Sequence, residues 1–292
     1  MRSTFATFLL LAILSTPATA QWESLNGPYG GMLQAIGATQ GGRLLAALYD
    51  GPMYASDNAG GSWNIVADES WTGSVHLLRR APDGTVYAAS QNGIYRSTDG
   101  SSWEKTTFVD IPRTIAFTAN GDVLVGGRGL IHRSSDRGQS WSSVTPVPGS
   151  ARSVHIAVTA DGDWLAGAYR EGLLRSTDEG ITWEIVGASL PNNEVYSVSI
   201  IDGATVFAGL NSTTAISTDA GMTWELVSGM TGVNVYAVHQ IEGEWLAAES
   251  SEGLYVSDDG GRNWVRIAAQ DIRDRFLSLH VATANTLFAA AD

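Results

Sequence analysis

The chain has 292 residues, 44% of them hydrophobic and 16% charged, with 30 acidic against 17 basic side chains and a formal charge of −13. That composition is enough to bury one large core, and the acidity argues against nucleic acid or anionic lipid as partners, because both are gripped by clustered Lys and Arg. There is no cysteine, which excludes disulfides, thiolate metal sites and thiol nucleophiles.

Residues 1–20 read as an export signal rather than as fold. Arg2 supplies a positive start, Phe5 to Ile13 form a short apolar run, and Ala18-Thr19-Ala20 is a small-x-small cleavage site, so the mature chain is expected to begin at Gln21. The run is too short for a bilayer, and nothing later approaches the roughly 18 apolar residues that a span requires. Residues 21–292 are therefore expected as one domain outside the cytoplasm, secreted or periplasmic, without membrane insertion. The expected assembly is a monomer or part of a longer chain.

From there the sequence repeats. Ser56-Asp-Asn-Ala-Gly-Gly-Ser-Trp63, Ser97-Thr-Asp-Gly-Ser-Ser-Trp103, Ser134-Ser-Asp-Arg-Gly-Gln-Ser-Trp141, Ser176-Thr-Asp-Glu-Gly-Ile-Thr-Trp183, Ser217-Thr-Asp-Ala-Gly-Met-Thr-Trp224 and Ser257-Asp-Asp-Gly-Gly-Arg-Asn-Trp264 share one pattern. Their tryptophans are spaced 40, 38, 42, 41 and 40 residues apart, and Trp22 precedes Trp63 by 41. Physically the segment is a turn. Asn58, Asp99, Asp136, Asp178, Asp219 and Asp259 are placed to accept N–H groups two residues on, a glycine supplies positive φ, and the Trp ring packs under the hairpin.

Each repeat also holds four strand-like runs, in the second repeat Val75–Arg80, Thr85–Ser90, Ile94–Ser97 and Trp103–Phe108, with Pro82-Asp83-Gly84 and Gln91-Asn92-Gly93 as turns. Small residues recur in the second run, as in Ala88-Ala89, Ala166-Gly167 and Ala208-Gly209, which suits crowded packing of successive sheets. Four short strands every 40 residues or so predict an all-β, seven-bladed β-propeller. The seventh blade would combine Trp22-Glu23-Ser24-Leu25 as its fourth strand with Phe276–Val281 and Thr286–Ala291 as its first two. Its third strand and turn segment are missing from the pattern, so a short blade or a longer parent chain is expected.

The repeated segment resembles the Asp-box, or BNR, family, whose pattern is S-x-D-x-G-x-T/S-W. The repeats are similar to those of sialidase-type and photosystem II assembly factor-type propellers. Asn58 stands for Asp in the first box, the second is one residue short, and Asn263 replaces Thr/Ser in the sixth. The resemblance implies that the box residues, including Trp63, Trp103, Trp141, Trp183, Trp224 and Trp264, are structural. It also raises glycoside hydrolysis. The Phe/Tyr-Arg-Ile-Pro motif of sialidases does not occur; the nearest match is Ile111-Pro112-Arg113. Glu171, Glu249 and Glu252 lie in loops between second and third strands, as solvated acids or as a carboxylate pair.

Aligning the repeats places Ser74, Arg113, Arg152, Asn193, Val233 and Arg275 where inner strands begin, with Arg170 in a neighbouring loop. Convergent arginines suit a carboxylate or phosphate, unless each is clamped by Asp110, Glu171 or Asp274. Trp71 is the one tryptophan outside a strand or box, fit to stack on sugar or peptide or to cover a core edge. His76 and His155 fall in inner strands, and the five histidines show no metal-ligand spacing. No metal and no cofactor are expected. The reading is a secreted, non-catalytic interaction propeller that binds protein or carbohydrate, with a sialidase-like or glucanase-like hydrolase as the alternative.

Overall fold

The structure is a computed structural model and describes residues 8–12, 21–25, 27–28, 32–67, 73–144, 154–241, 244–249, 253–267, 276–283 and 286–291. All its regular elements are β-strands. The chain divides into two compact units, residues 1–109 with 268–292, and residues 110–267.

The second unit holds four successive four-stranded antiparallel sheets. Sheet 3 runs Thr114–Phe117, Val123–Gly126, Ile131–Ser134, Ser142–Ser143. Sheet 4 runs Val154–Val158, Trp164–Ala168, Gly172–Ser176, Glu184–Ile185. Sheet 5 runs Val195–Ile200, Val206–Leu210, Thr213–Ser217, Glu225–Leu226, and sheet 6 Val235–Ile241, Glu244–Glu249, Gly253–Ser257, Val265–Ile267. First strands of neighbouring sheets lie side by side. The first unit holds sheet 1 (Leu33–Ala38, Leu44–Leu48, Met53–Ser56, Asn64–Ala67) and sheet 2 (Val75–Arg80, Val86–Ser90, Gly93–Ser97, Glu104–Lys105). It also holds a closing sheet, in the order Gln21–Leu25, Phe8–Ala12, Thr286–Ala291, Phe276–Thr283.

That closing sheet differs from the expectation. The third strand was to be missing, yet Phe8–Ala12 takes the third place, antiparallel to both Thr286–Ala290 and Gln21–Leu25. Five residues without Pro or Gly present N–H and C=O groups to both sides, which is all a central strand requires of its backbone.

Burial grades along each sheet. Second strands such as Leu44–Leu48, Val86–Ser90, Trp164–Ala168 and Val206–Leu210 are buried at every position, whereas the fourth strands Glu104–Lys105 and Glu184–Ile185 are exposed. A strand covered on both faces needs a continuous apolar run rather than alternation. Glu104–Lys105 is shorter than the predicted Trp103–Phe108, though Thr106 N still donates to the Ile94 carbonyl at 2.9 Å.

The boxes join third to fourth strands, with a geometry that differs in detail from the prediction. In sheet 4 the Ser176 hydroxyl donates to Asp178 Oδ1 and accepts the Gly180 N–H, each at 2.8 Å. Asp178 accepts the Thr182 N–H at 2.8 Å and the Thr182 hydroxyl at 2.6 Å, and Trp183 Nε1 donates to the Gly180 carbonyl at 3.1 Å. The carboxylate thus reaches three and four residues on, not two. Only the shortened box, where Asp99 takes the N–H groups of Ser101 and Ser102, includes the shorter reach. Asn58 performs the same task, accepting from Ser62 N at 2.8 Å. Two successive residues are left-handed: Glu179 at φ 58° before Gly180 at 85°, and Ala220 at 57° before Gly221 at 90°.

Ser176 is 2% exposed while Asp178 is half-exposed, so the buried acceptor in the turn is the serine. Ser176→Ala leaves the Gly180 N–H without its acceptor and is expected to cost about 1–3 kcal/mol. Urea unfolding checks this; an unchanged midpoint contradicts it.

The box carboxyls also set the acid limit of the fold. The Ser102 N–H for Asp99, the Ser140 hydroxyl for Asp136, the Thr182 hydroxyl for Asp178 and the Asn263 N–H for Asp259 hold these groups at about 2. In the unfolded chain they titrate near 3.9, roughly, so the unfolded state takes up protons first as pH falls. The stability they lend is complete above that value and is lost as pH drops toward 2. Thermal midpoints are expected to stay level from pH 7 to about 5 and to fall steeply between about 4 and 2. A midpoint that holds down to pH 2 contradicts this role.

Candidate functional site

The sheets of the second unit are stitched together where first strands begin. In sheet 5 the Asn193 side chain donates to the Arg170 carbonyl at 2.6 Å, and Gly172 N donates back to the Asn193 carbonyl at 3.1 Å. Asn211 N donates to the Glu194 carbonyl at 3.1 Å, and Ser212 N donates to Asn234 Oδ1 at 2.9 Å. In the first unit Ser74 plays the equivalent part, accepting from Asp50 N at 3.4 Å and donating to Gln34 Oε1 at 2.5 Å. These bonds fix the turns between second and third strands against the next sheet.

A second local feature shapes the surface there. The pairing of first and second strands slips by one residue at Tyr196 in sheet 5 and at Tyr236 in sheet 6, and likewise at Gln34 and His76 in the first unit. A bulge leaves its extra residue out of the ladder and re-aims the side chain. Tyr196 so placed meets Tyr169 at 5.6 Å between ring centroids, tilted 43°. Burial first, then Tyr169, Glu194 and Tyr236, push its phenol above the usual range, so the three tyrosines are neighbours.

Arg170 belongs to the same patch. It sits at φ 71° in the turn after Trp164–Ala168, its guanidinium 5.2 Å from the centre of the Tyr169 ring and its Nε 3.5 Å from Glu194 Oε1. Glu194 is held from its other side by Asn211 Nδ2 at 2.8 Å. The outcome is a partly wet row of aromatic faces with one cation laid on it and donor amides at its rim. Such a surface recognises an extended chain by stacking and hydrogen bonding.

The other residues singled out from sequence are placed as follows. Arg113 is exposed just before Thr114–Phe117, and its charge adds to burial in lowering His155 to about 4. Asp110 does not clamp it: Asp110 Oδ1 accepts the Ile111 N–H at 2.7 Å, and Oδ2 stands 3.4 Å from His132 Nε2. Arg170 pairs with Glu194 rather than with its neighbour Glu171, which is half-buried in the same turn. Trp71, Arg152, Arg275, Glu252 and Asp274 lie outside the described residues, as does the side chain of Glu249. Among the described residues no group of three His, Cys, Asp or Glu is set to hold a metal, and no helix is long and apolar enough to cross a membrane. The tyrosines were missed because a bulge has no marker in composition; the recurrence of a large side chain directly after the first valine, in Val195-Tyr196 and Val235-Tyr236, was the available signal.

No protein-family model matches the chain. The photosystem II assembly lipoprotein Ycf48 of Prochlorococcus marinus is 28% identical over 184 residues, covering 59% of this chain and 54% of that protein. A xyloglucanase of Paenibacillus is 28% identical over 226 residues, 73% of this chain and 19% of the enzyme. The matched region therefore spans about half the length of that Ycf48 protein and about a fifth of the xyloglucanase. Among solved structures, YCF48 from Cyanidioschyzon merolae superposes with a TM-score of 0.68 over 98% of each chain at 14% identity. A YCF48 structure described as bound to D1 peptide gives 0.66 at 14% identity, over 85% of this chain and 90% of that one. A streptogramin B lyase gives 0.72 over 98% of each chain at 10% identity, so likeness at this level speaks to fold alone. The chain is thus homologous to Ycf48 over part of its length, and its fold is that of a β-propeller.

Proposed function

We propose that the chain is an exported, non-catalytic binding propeller of seven blades, six of them carrying an Asp box, whose loop face in the second unit takes an extended segment of a protein partner. The Tyr169–Tyr196 pair carrying Arg170 supports this most directly. The homology to assembly lipoproteins, and the likeness to a structure solved with a peptide, support a protein partner over a sugar. Export requires the leader, residues 1–20. Its removal would take Phe8–Ala12 from the closing sheet and leave Gln21–Leu25 facing Thr286–Ala291.

On this reading Tyr169, Tyr196 and Tyr236 stack on the partner, Arg170 orients it, and Asn193, Glu194 and Asn211 hold the loops in place. Arg113, exposed in the same unit, would add a second cation to that face. The test is selection against a random displayed-peptide library beside a panel of xyloglucan and sialosides. Selected peptides should lose roughly tenfold in affinity with Tyr196→Ala and with Arg170→Ala, the scale of an aromatic or arginine anchor, at unchanged thermal midpoint. Turnover of either glycan, or peptide binding indifferent to both substitutions, would overturn the proposal.

A further inference from the structure

Among the described residues, four arginines on or beside the second and third strands are paired. Arg43 meets Asp57, Arg96 meets Glu104, Arg133 meets Asp122 and Glu179, and Arg175 meets Asp163. Two arginines on an innermost strand are different. Among the described residues Arg79 Nη1 reaches only the Leu78 carbonyl, at 3.4 Å, and Arg80 Nη1 only the Thr39 carbonyl, at 2.9 Å. Among the described residues neither has a carboxylate within ion-pair reach, in a chain with 30 acidic side chains.

Contacts among three inner strands of the first unit set the level at which these groups lie. Ile36 N donates to Ser278 Oγ at 3.4 Å, which aligns Leu33–Ala38 with Phe276–Thr283. A Cβ on Gly37 would stand 3.0 Å from the Leu78 Cβ, which aligns the same strand with Val75–Arg80. Counting on from these contacts puts His280, Ala38 and Arg79 at one height, with Arg80 beside Thr39. The residues between them, Gly37 and Ala38, are small, with Leu78 packed over Gly37, so no bulky side chain of that strand stands between the two arginines and His280 at this level.

The electrostatics agree with that register. Burial first, then Arg80 and Arg79, lowers His280 to about 4, so the ring is neutral at pH 7 and carries one N–H donor. Arg79 keeps some contact with solvent, yet enough protein surrounds it that burial pushes its guanidinium below the ordinary value. A group in a narrow crevice satisfies both observations. The carboxylates on this side are engaged elsewhere: Asp57 by Arg43, and Asp99 by its own turn.

We infer that Arg79, Arg80 and His280 form an oxyanion site at the end of the inner strands away from Ser74, taking a carboxylate or phosphate group. Guanidinium forks match the planar oxygen pairs of such groups; Arg79 offers a partly desolvated cation and Arg80 an exposed one. The site uses none of the residues of the tyrosine patch, so it stands or falls independently of it.

The experiment titrates the full chain with inorganic phosphate and, separately, with succinate, at ionic strength held constant with chloride. It follows the His280 ring by NMR and the heat of binding by calorimetry. Expected are saturable binding, an upward move of the His280 pKa in the bound state, and at least a tenfold loss of affinity in Arg79→Gln and in Arg80→Gln. Preference for phosphate marks a phosphorylated ligand, and preference for succinate marks a carboxylate; both support the site. His280 signals in the unsubstituted protein that respond alike to chloride, phosphate and succinate would overturn it, even if the arginine variants do not fold. Binding retained at full strength in folded Arg79→Gln and Arg80→Gln would overturn it as well.

Discussion

Trp264→Ala is expected to destabilise the protein by about 3–5 kcal/mol, the range for deleting a buried aromatic ring. The ring is 4% exposed and packs edge-to-face on Phe207, with centroids 5.8 Å apart and planes at 82°. Its Nε1 donates to the Gly261 carbonyl at 2.8 Å, and its backbone N donates to the Ser228 carbonyl at 3.0 Å. Phe207 lies on the second strand of sheet 5, whereas Trp264 follows the box of sheet 6. Loss of the ring therefore opens a cavity between two sheets, among Ile216, Val227, Met230 and Tyr255. Trp264→Phe keeps most of the ring contact and should recover more than half of the loss, so chemical denaturation of the two variants separates packing from the lost N–H bond. Equal losses in both would shift the weight to the hydrogen bond.

Gly209→Ala should cost about 3 kcal/mol, at the upper end of overpacking effects, because the obstacle is backbone. A Cβ at Gly209 would lie 2.1 Å from the Val235 carbonyl oxygen and 2.4 Å from Ser197 Oγ, which itself donates to that carbonyl at 2.7 Å. A Cβ at Gly126 would meet the Val154 carbonyl oxygen at 2.3 Å in the same way. The one-carbon addition must therefore push apart the second strand of one sheet and the first strand of the next. Gly203→Ala is the control: its Cβ meets only Ala160 Cβ at 3.5 Å, an ordinary contact, and its effect on the thermal midpoint should be slight.

The fold could be read from the sequence because its dominant constraints are local and periodic. Trp63 through Trp264 mark each turn, the box glycines mark positive φ, and the small pairs in the second strands mark where sheets approach. Gly209 shows that last inference in atomic terms. What could not be read was where each box packs. The Trp ring keeps to its own turn, Trp264 Nε1 bonding the Gly261 carbonyl and Trp224 Nε1 the Gly221 carbonyl, but Trp264 also reaches Phe207, Trp224 joins Leu165, and a Cβ on Gly100 would strike Leu45 at 3.0 Å, each on the preceding sheet. Sequence period fixes the repeat and is silent on which neighbour a ring meets.

The site was less legible for a related reason. Charge drew attention to the starts of inner strands, yet Ser74 and Asn193 at those positions serve as stitches between sheets. Arg170 was found, though its partner Glu194 comes from the next sheet and not from the adjacent Glu171. Tyr196 and Tyr236 owe their placement to one-residue slips in strand pairing, which depend on the partner strand.

Amide hydrogen exchange of the protein, alone and saturated with a library-selected peptide, tests peptide recognition at this face most directly. Protection should appear at residues 169–172, 193–196 and 234–236, where the tyrosines and Arg170 lie. Protection confined to outer strands such as Glu184–Ile185 and Glu225–Leu226, with those loops unchanged, would contradict it.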